Sequence, residues 1–203
     1  MLKHLSAFFL AATALLSSLA AGAQALPEGW YVYSPRKGEY QSARTMDVKR
    51  SGSAAGTISR LTGSDENFET LMQGVEAKPF RGKRIRFAAW LRTADVSSAQ
   101  LWLRIDSATN SLAMDNMTDR SIKGTTDWQE YEVILDVPDS AVHLAYGVIL
   151  SGKGTVYIDD LSLEVYSGLS KSTTTHDEKL MSGSTFTSMR RVESTPSNLG
   201  FEK

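Results

Sequence analysis

Ile85-Arg86-Phe87-Ala88-Ala89-Trp90-Leu91-Arg92-Thr93 and, after a short gap, Leu101-Trp102-Leu103-Arg104-Ile105-Asp106 decide the fold. In the first stretch Ile85, Phe87, Ala89 and Leu91 alternate with Arg86, Ala88, Trp90 and Arg92; in the second Leu101, Leu103 and Ile105 alternate with Trp102, Arg104 and Asp106. A period of two, apolar on one side and ionic on the other, belongs to a strand buried on one face of an antiparallel sheet. Two indoles fall on the ionic rows. Placed side by side, the two strands would gather Trp90, Arg92, Trp102, Arg104 and Asp106 on one surface.

Outward from this pair the pattern repeats. Trp128–Val137 sets Tyr131, Val133, Leu135 and Val137 against Glu130, Glu132 and Asp136, and further strands are expected at Trp30–Tyr33, Tyr40–Val48, Gly56–Leu61, Leu112–Met117, His143–Leu150 and Thr155–Val165. Phe68–Val75 shows no clear period. Ser151-Gly152-Lys153-Gly154 reads as a hairpin turn between the last two strands, because glycine accepts the positive φ such turns need. Nine or so short strands separated by turn residues indicate an all-β domain, a sandwich or barrel, over residues 26–166.

The ends differ in character. Lys3 and His4 precede an apolar stretch from Leu5 to Ala21 that closes on Ala23-Gln24-Ala25. That is the layout of a secretory signal with its small-x-small cleavage pattern, so residues 1–25 are expected to be removed and the remainder exported to the periplasm or exterior. No second apolar run of that length follows, and no membrane association is expected after removal. Residues 167–203 are rich in Ser and Thr and are expected to form a flexible tail ending in a possible edge-strand segment at 198–202.

Composition excludes more than it assigns. The absence of cysteine removes disulfide scaffolds, thiolate metal sites and cysteine nucleophiles. Twenty-two basic against 23 acidic residues provide no basic surface for nucleic acid. His4 lies in the signal, His143 at a strand start and His176 in the tail, which offers no histidine-centred triad or zinc cluster. The carboxylates Glu130, Glu132 and Asp136 alternate as a solvated strand face does, and no phosphate-cradling glycine motif occurs.

Four stretches carry a resemblance. Pro79-Phe80-Arg81-Gly82-Lys83-Arg84-Ile85-Arg86-Phe87, Leu101–Asp106 with Asp115-Asn116-Met117, Lys123-Gly124-Thr125-Thr126-Asp127-Trp128 with Tyr131-Glu132-Val133, and Tyr157–Leu163 are similar, in order, to segments of carbohydrate-binding-like and galactose-binding-like β-jelly rolls. The resemblance covers roughly residues 26–166 and implies an antiparallel β-sandwich of jelly-roll type that is not an enzyme. Such modules commonly open with an Asn-Leu-x-Phe-Glu segment. Here Asn198-Leu199-Gly200-Phe201-Glu202 stands at the far end of the sequence instead. The resemblance also implies a structural calcium shared between that Glu and an aspartate of Asp159-Asp160; with the Glu displaced, no cofactor is assigned. The tail is expected to fold back, or cross to a neighbouring chain, as an edge strand beside Tyr157–Val165.

The expected function is non-catalytic binding of a glycan. Trp90, Arg92, Trp102, Arg104 and Asp106 supply stacking and forked hydrogen bonds, with Asp115 and Asn116 at the rim. The alternative partner is a protein surface, engaged by strand addition through the tail or an open sheet edge. Each candidate also has a purely structural explanation: indoles packed under a loop, Arg and Asp paired across strands, and Asp115-Asn116 as an Asx turn.

Overall fold

The computed structural model describes residues 25–63, 66–174 and 192–203. The expected signal, apart from Ala25, and tail residues 175–191 lie outside the described residues. Among the described residues nine strands occur: β1 (Tyr31–Tyr33), β2 (Tyr40–Thr45), β3 (Ala55–Arg60), β4 (Phe68–Glu76), β5 (Arg84–Asp106), β6 (Ser111–Asp115), β7 (Ile122–Asp136), β8 (His143–Ser151) and β9 (Thr155–Val165). The described helices are two 3₁₀ turns, Lys78–Phe80 and Thr118–Arg120. No described helix is long and apolar enough to cross a membrane.

The two stretches that open the sequence argument are one strand. β5 runs unbroken for 23 residues, and every ladder between the named strands is antiparallel. Its first half pairs with β7 and β9, its second half with β6 and β8. The pairing therefore folds into two layers sharing β5: β7-β5-β9-β3-β2, here layer I, and β6-β5-β8-β4-β1, layer II. β5 crosses between layers at Thr93–Ser98, where its register with β7 slips repeatedly and Asp95 has φ 51°. Such irregularities bend a strand. The expected side-by-side placement of Trp90 and Trp102 is corrected here: their segments lie end to end, in opposite layers.

The expected β8–β9 hairpin is corrected for the same reason. β8 pairs with β4 and β5 in layer II, while β9 pairs with β5 and β3 in layer I. The turn Ser151–Gly154 carries the chain across the end of the sandwich, answering the bend of β5: Ser97 N–H donates to the Lys153 carbonyl at 3.1 Å, and Lys153 N–H to Ser97 Oγ at 3.1 Å. Gly152 and Gly154 do have positive φ, 71° and 100°. Positive φ specifies a tight turn, not which strands it joins.

The inward rows of both layers form one core. Ile85, Phe87, Ala89 and Leu91 meet Leu101, Leu103 and Ile105 through Ile58, Leu71, Tyr146, Val148 and Ile158, all buried. Tyr146 donates its hydroxyl to Gln73 Oε1, which satisfies a polar tip inside the core, and burial pushes its pKa up.

Residues 192–203 return to this core. Phe201 is fully buried and its ring lies 4.9 Å from Trp30. The segment does not form the edge ladder expected beside Tyr157–Val165; it meets β9 through Leu161 N–H to the Leu199 carbonyl, 3.1 Å, and meets β4 through a parallel bridge between Val75 and Glu193. Residues 170–174 follow β7, where Thr173 N–H donates to the Ile134 carbonyl at 2.7 Å and Ile134 N–H to Thr173 Oγ1 at 2.9 Å.

Candidate functional site

The seven candidate residues fall in three places. Trp90 and Arg92 point out of layer I. Trp102, Arg104 and Asp106 point out of layer II, on the opposite side of the sandwich. Asp115 and Asn116 end β6.

On layer I the outward side chains are mostly ionic. Arg86 sits among Glu130 at 3.0 Å, Glu164 at 3.6 Å and Glu132, while Arg84 pairs with Asp136 at 2.7 Å. Hydrogen bonding from Arg84 holds the Asp136 pKa below the usual carboxylate range. Trp90 is half-buried because Arg50 stacks on it, its guanidinium carbon 3.7 Å from the ring centroid. Arg92 is exposed and lies 3.8 Å from Asp127. The loop carrying Arg50 is held from below: Asp159 accepts N–H groups from Arg50 at 2.8 Å and Ser51 at 3.1 Å, and Asp160 accepts the Arg50 guanidinium and the Ser51 hydroxyl.

On layer II the outward row is aromatic and aliphatic. Trp102 is only 5% exposed, under Met72 and Ala145 with Tyr31, Met114 and Ile149 around them. Its indole N–H donates to Thr70 Oγ1 at 2.8 Å, and that hydroxyl donates to the Val148 carbonyl at 3.0 Å. Trp102 is thus the floor of this face rather than its contact surface. Tyr33, 49% exposed, extends the surface toward Phe68, with ring centroids 6.1 Å apart.

At the other end Arg104 donates to Asp106 at 3.2 Å. Asp106 is 2% exposed, and desolvation raises its pKa from 3.8 to about 6 despite the guanidinium beside it. The Tyr31 hydroxyl is buried with no hydrogen-bond partner, and desolvation lifts its pKa to about 12.

Asp115 turns inward. It is fully buried, accepts the Arg120 guanidinium at 2.5 Å and Met117 N–H at 2.8 Å, and so fixes the turn in which Met117 has φ 53°. Asn116 accepts the Thr118 hydroxyl. These two residues are placed as a structural turn, not on either outer face.

The implied calcium does not fit the residues present. The oxygens of Asp159, Asp160 and Glu202 accept N–H and O–H groups of residues 50–53 and 160, and among the described residues no three acidic or histidine side chains converge.

Comparison with known proteins supports the architecture. The enzymatically active domain of the bacteriophage CBA120 tailspike protein 4 superposes with a TM-score of 0.54 at 14% identity, over 68% of this chain and 20% of that one. The CBM22-1–GH10 modules of a Clostridium thermocellum xylanase complexed with xylohexaose superpose with a TM-score of 0.50 at 9% identity, over 70% of this chain and 27% of that one. The chain shares its antiparallel β-sandwich fold with the matched part of each. At such identities the likeness concerns the fold. In sequence, an uncharacterized HTH-type transcriptional regulator of Bacillus subtilis (strain 168), YbfP, is 34% identical over 140 residues, which is 68% of this chain and 48% of the regulator. The chain thus spans about half the length of that relative. No family model matches the sequence.

Sequence reasoning missed Tyr31, Tyr33, Phe68, Met72, Met114 and Ile149 as parts of one surface. The alternation Tyr31-Val32-Tyr33 was a usable signal. The others lie on strands whose neighbours no local pattern reveals.

Proposed function

We propose that the jelly roll is an exported, non-catalytic recognition domain that receives a glycan chain across the outer face of layer II. One observation carries this reading: the outer side of an antiparallel sheet, ordinarily polar, bears the partly exposed Tyr31, Tyr33, Phe68, Met114 and Ile149 over buried Met72 and Trp102. Aromatic and thioether surfaces receive the CH-rich faces of sugar rings, and the partly exposed Arg104 guanidinium supplies donors for hydroxyls.

The pattern of likeness supports a domain that combines with varied partners, since the similar chains are a regulator, a tailspike and a xylanase, all considerably longer than the matched part. The helix-turn-helix of the regulator's name is not carried over, because the described helices are of three residues each. The export signal read at residues 1–25 supports action outside the cytoplasm.

The test is a glycan array read with the full chain, repeated with Tyr33→Ala and with Arg92→Ala. Binding lost with Tyr33→Ala and kept with Arg92→Ala is expected. An array without a binder, or the reverse pattern of losses, overturns the assignment.

A further inference from the structure

Residues 196–203 meet the domain as a bound peptide does. Asn198 has φ 47° and holds its own turn, donating Nδ2–H to the carbonyls of Lys203 at 2.8 Å and Glu28 at 3.0 Å and accepting Lys203 N–H at 3.1 Å. Its carbonyl accepts the Trp30 indole N–H at 3.1 Å. Ser197 is bracketed by the Gln73 amide, donating its N–H to Oε1 at 3.0 Å and accepting Nε2–H on its carbonyl at 3.1 Å.

The receiving surface is shaped for the dipeptide that follows. A Cβ on Gly56 would stand 2.9 Å from the Phe201 ring, so the ring enters only because that position has no side chain. Gly52 has φ 57°, and a Cβ there would collide with the Glu202 carboxylate. That carboxylate accepts Ser53 N–H at 3.1 Å and the Ser53 hydroxyl, which hold its pKa down. The domain's partners in these contacts all lie between Glu28 and Gln73, and seventeen residues, 175–191, stand between Thr174 and Val192, where the described residues leading into the segment resume. At about 3.3–3.6 Å per residue that length allows a reach of up to about 60 Å.

We propose that this groove is a docking site for the same segment of a second copy of the chain, so that the Asn198–Glu202 segment is exchanged between molecules. Every contact named above is indifferent to which copy supplies the segment, the condition under which swapping is inexpensive. In a single chain the tether makes internal docking the favoured state when dilute, because it holds the segment at high local concentration. Copies whose own docking is disabled should pair readily.

The experiment mixes two full-length variants. Phe201→Ala keeps the groove and spoils the segment; Gly56→Val keeps the segment and blocks the groove. Each alone is expected to run as a monomer in light scattering after gel filtration, and the equimolar mixture is expected to give a species of about twice the monomer mass. A synthetic peptide of residues 193–203 is expected to raise the Tm of the Phe201→Ala chain by several degrees and to leave that of Gly56→Val unchanged. If Phe201→Ala does not fold, Glu202→Ala takes its place in both arms. A mixture that remains monomeric together with a peptide that shifts neither variant overturns the proposal.

Discussion

The two outer faces of the sandwich are built on the same strand and have opposite chemistry. Layer I turns outward a lattice of Arg84, Arg86, Glu130, Glu132, Asp136 and Glu164, in which each charge answers a neighbour across a ladder. Layer II turns outward Trp102 among Met72, Ala145, Tyr31, Met114 and Ile149, with one buried ion pair at its end. β5 contributes an indole to both. The difference lies in what the adjacent strands provide: glutamates from β7 and β9 in one layer, methionines, tyrosine and small residues from β1, β4, β6 and β8 in the other. An outward indole is therefore not a site by itself; its neighbours decide whether it becomes a floor, a contact or the base of a stacked arginine.

Substitution can break this contrast. Trp102→Ala is expected to cost about 3–5 kcal/mol in urea unfolding, as for a buried aromatic, because it empties the floor of layer II and leaves Thr70 without its donor. Trp90→Ala should cost markedly less, since that ring is half-buried under a single loop. Equal losses would remove the distinction between the faces.

The faces should also respond to pH with opposite sign. Asp106, raised from 3.8 to about 6 by desolvation, binds its proton more tightly folded than unfolded. Its contribution to stability is therefore largest below pH 4 and declines as pH rises toward and through 6. Asp136, held low by Arg84, contributes stability that is present above its unfolded pKa and lost as pH falls. Asp106→Asn is expected to flatten the decline between pH 4 and 6 in a stability profile, and Asp136→Asn to flatten the loss on the acid side. Profiles altered in the same direction by both would contradict the opposed environments.

Smaller effects sharpen the layer I side. Arg86→Ala is expected to cost about 1 kcal/mol at low salt, leaving three carboxylates facing one another, with the difference shrinking at 1 M salt. Arg50→Gln is expected to cost about 0.5–1 kcal/mol through the lost stack on Trp90, and to increase acrylamide quenching of tryptophan fluorescence. Unchanged quenching would mean that Arg50 does not cover the ring.

How much was legible follows from which interactions are local. The alternation that defines β5 and β7 was readable because one face of each is buried. β4 was not, since it is buried along nearly its whole length on both faces, Glu69, Thr70 and Gln73 included, and shows no period. The two halves of β5 read as separate strands because the bend at Thr93–Ser98 interrupts the apolar row without interrupting the chain's pairing with β7. The candidate list named three members of the layer II face and missed those supplied by β1, β4, β6 and β8.

The order of side chains along each strand determined which would enter the core, since neighbouring residues on a strand must point to opposite sides. Only the tertiary structure decided that Trp90 and Trp102 look away from each other, that Ser151–Gly154 joins two layers, and that Phe201 closes the core beside Trp30. Those outcomes depend on strands and segments brought together from distant parts of the chain, and a period of two carries no record of which neighbour a strand will meet.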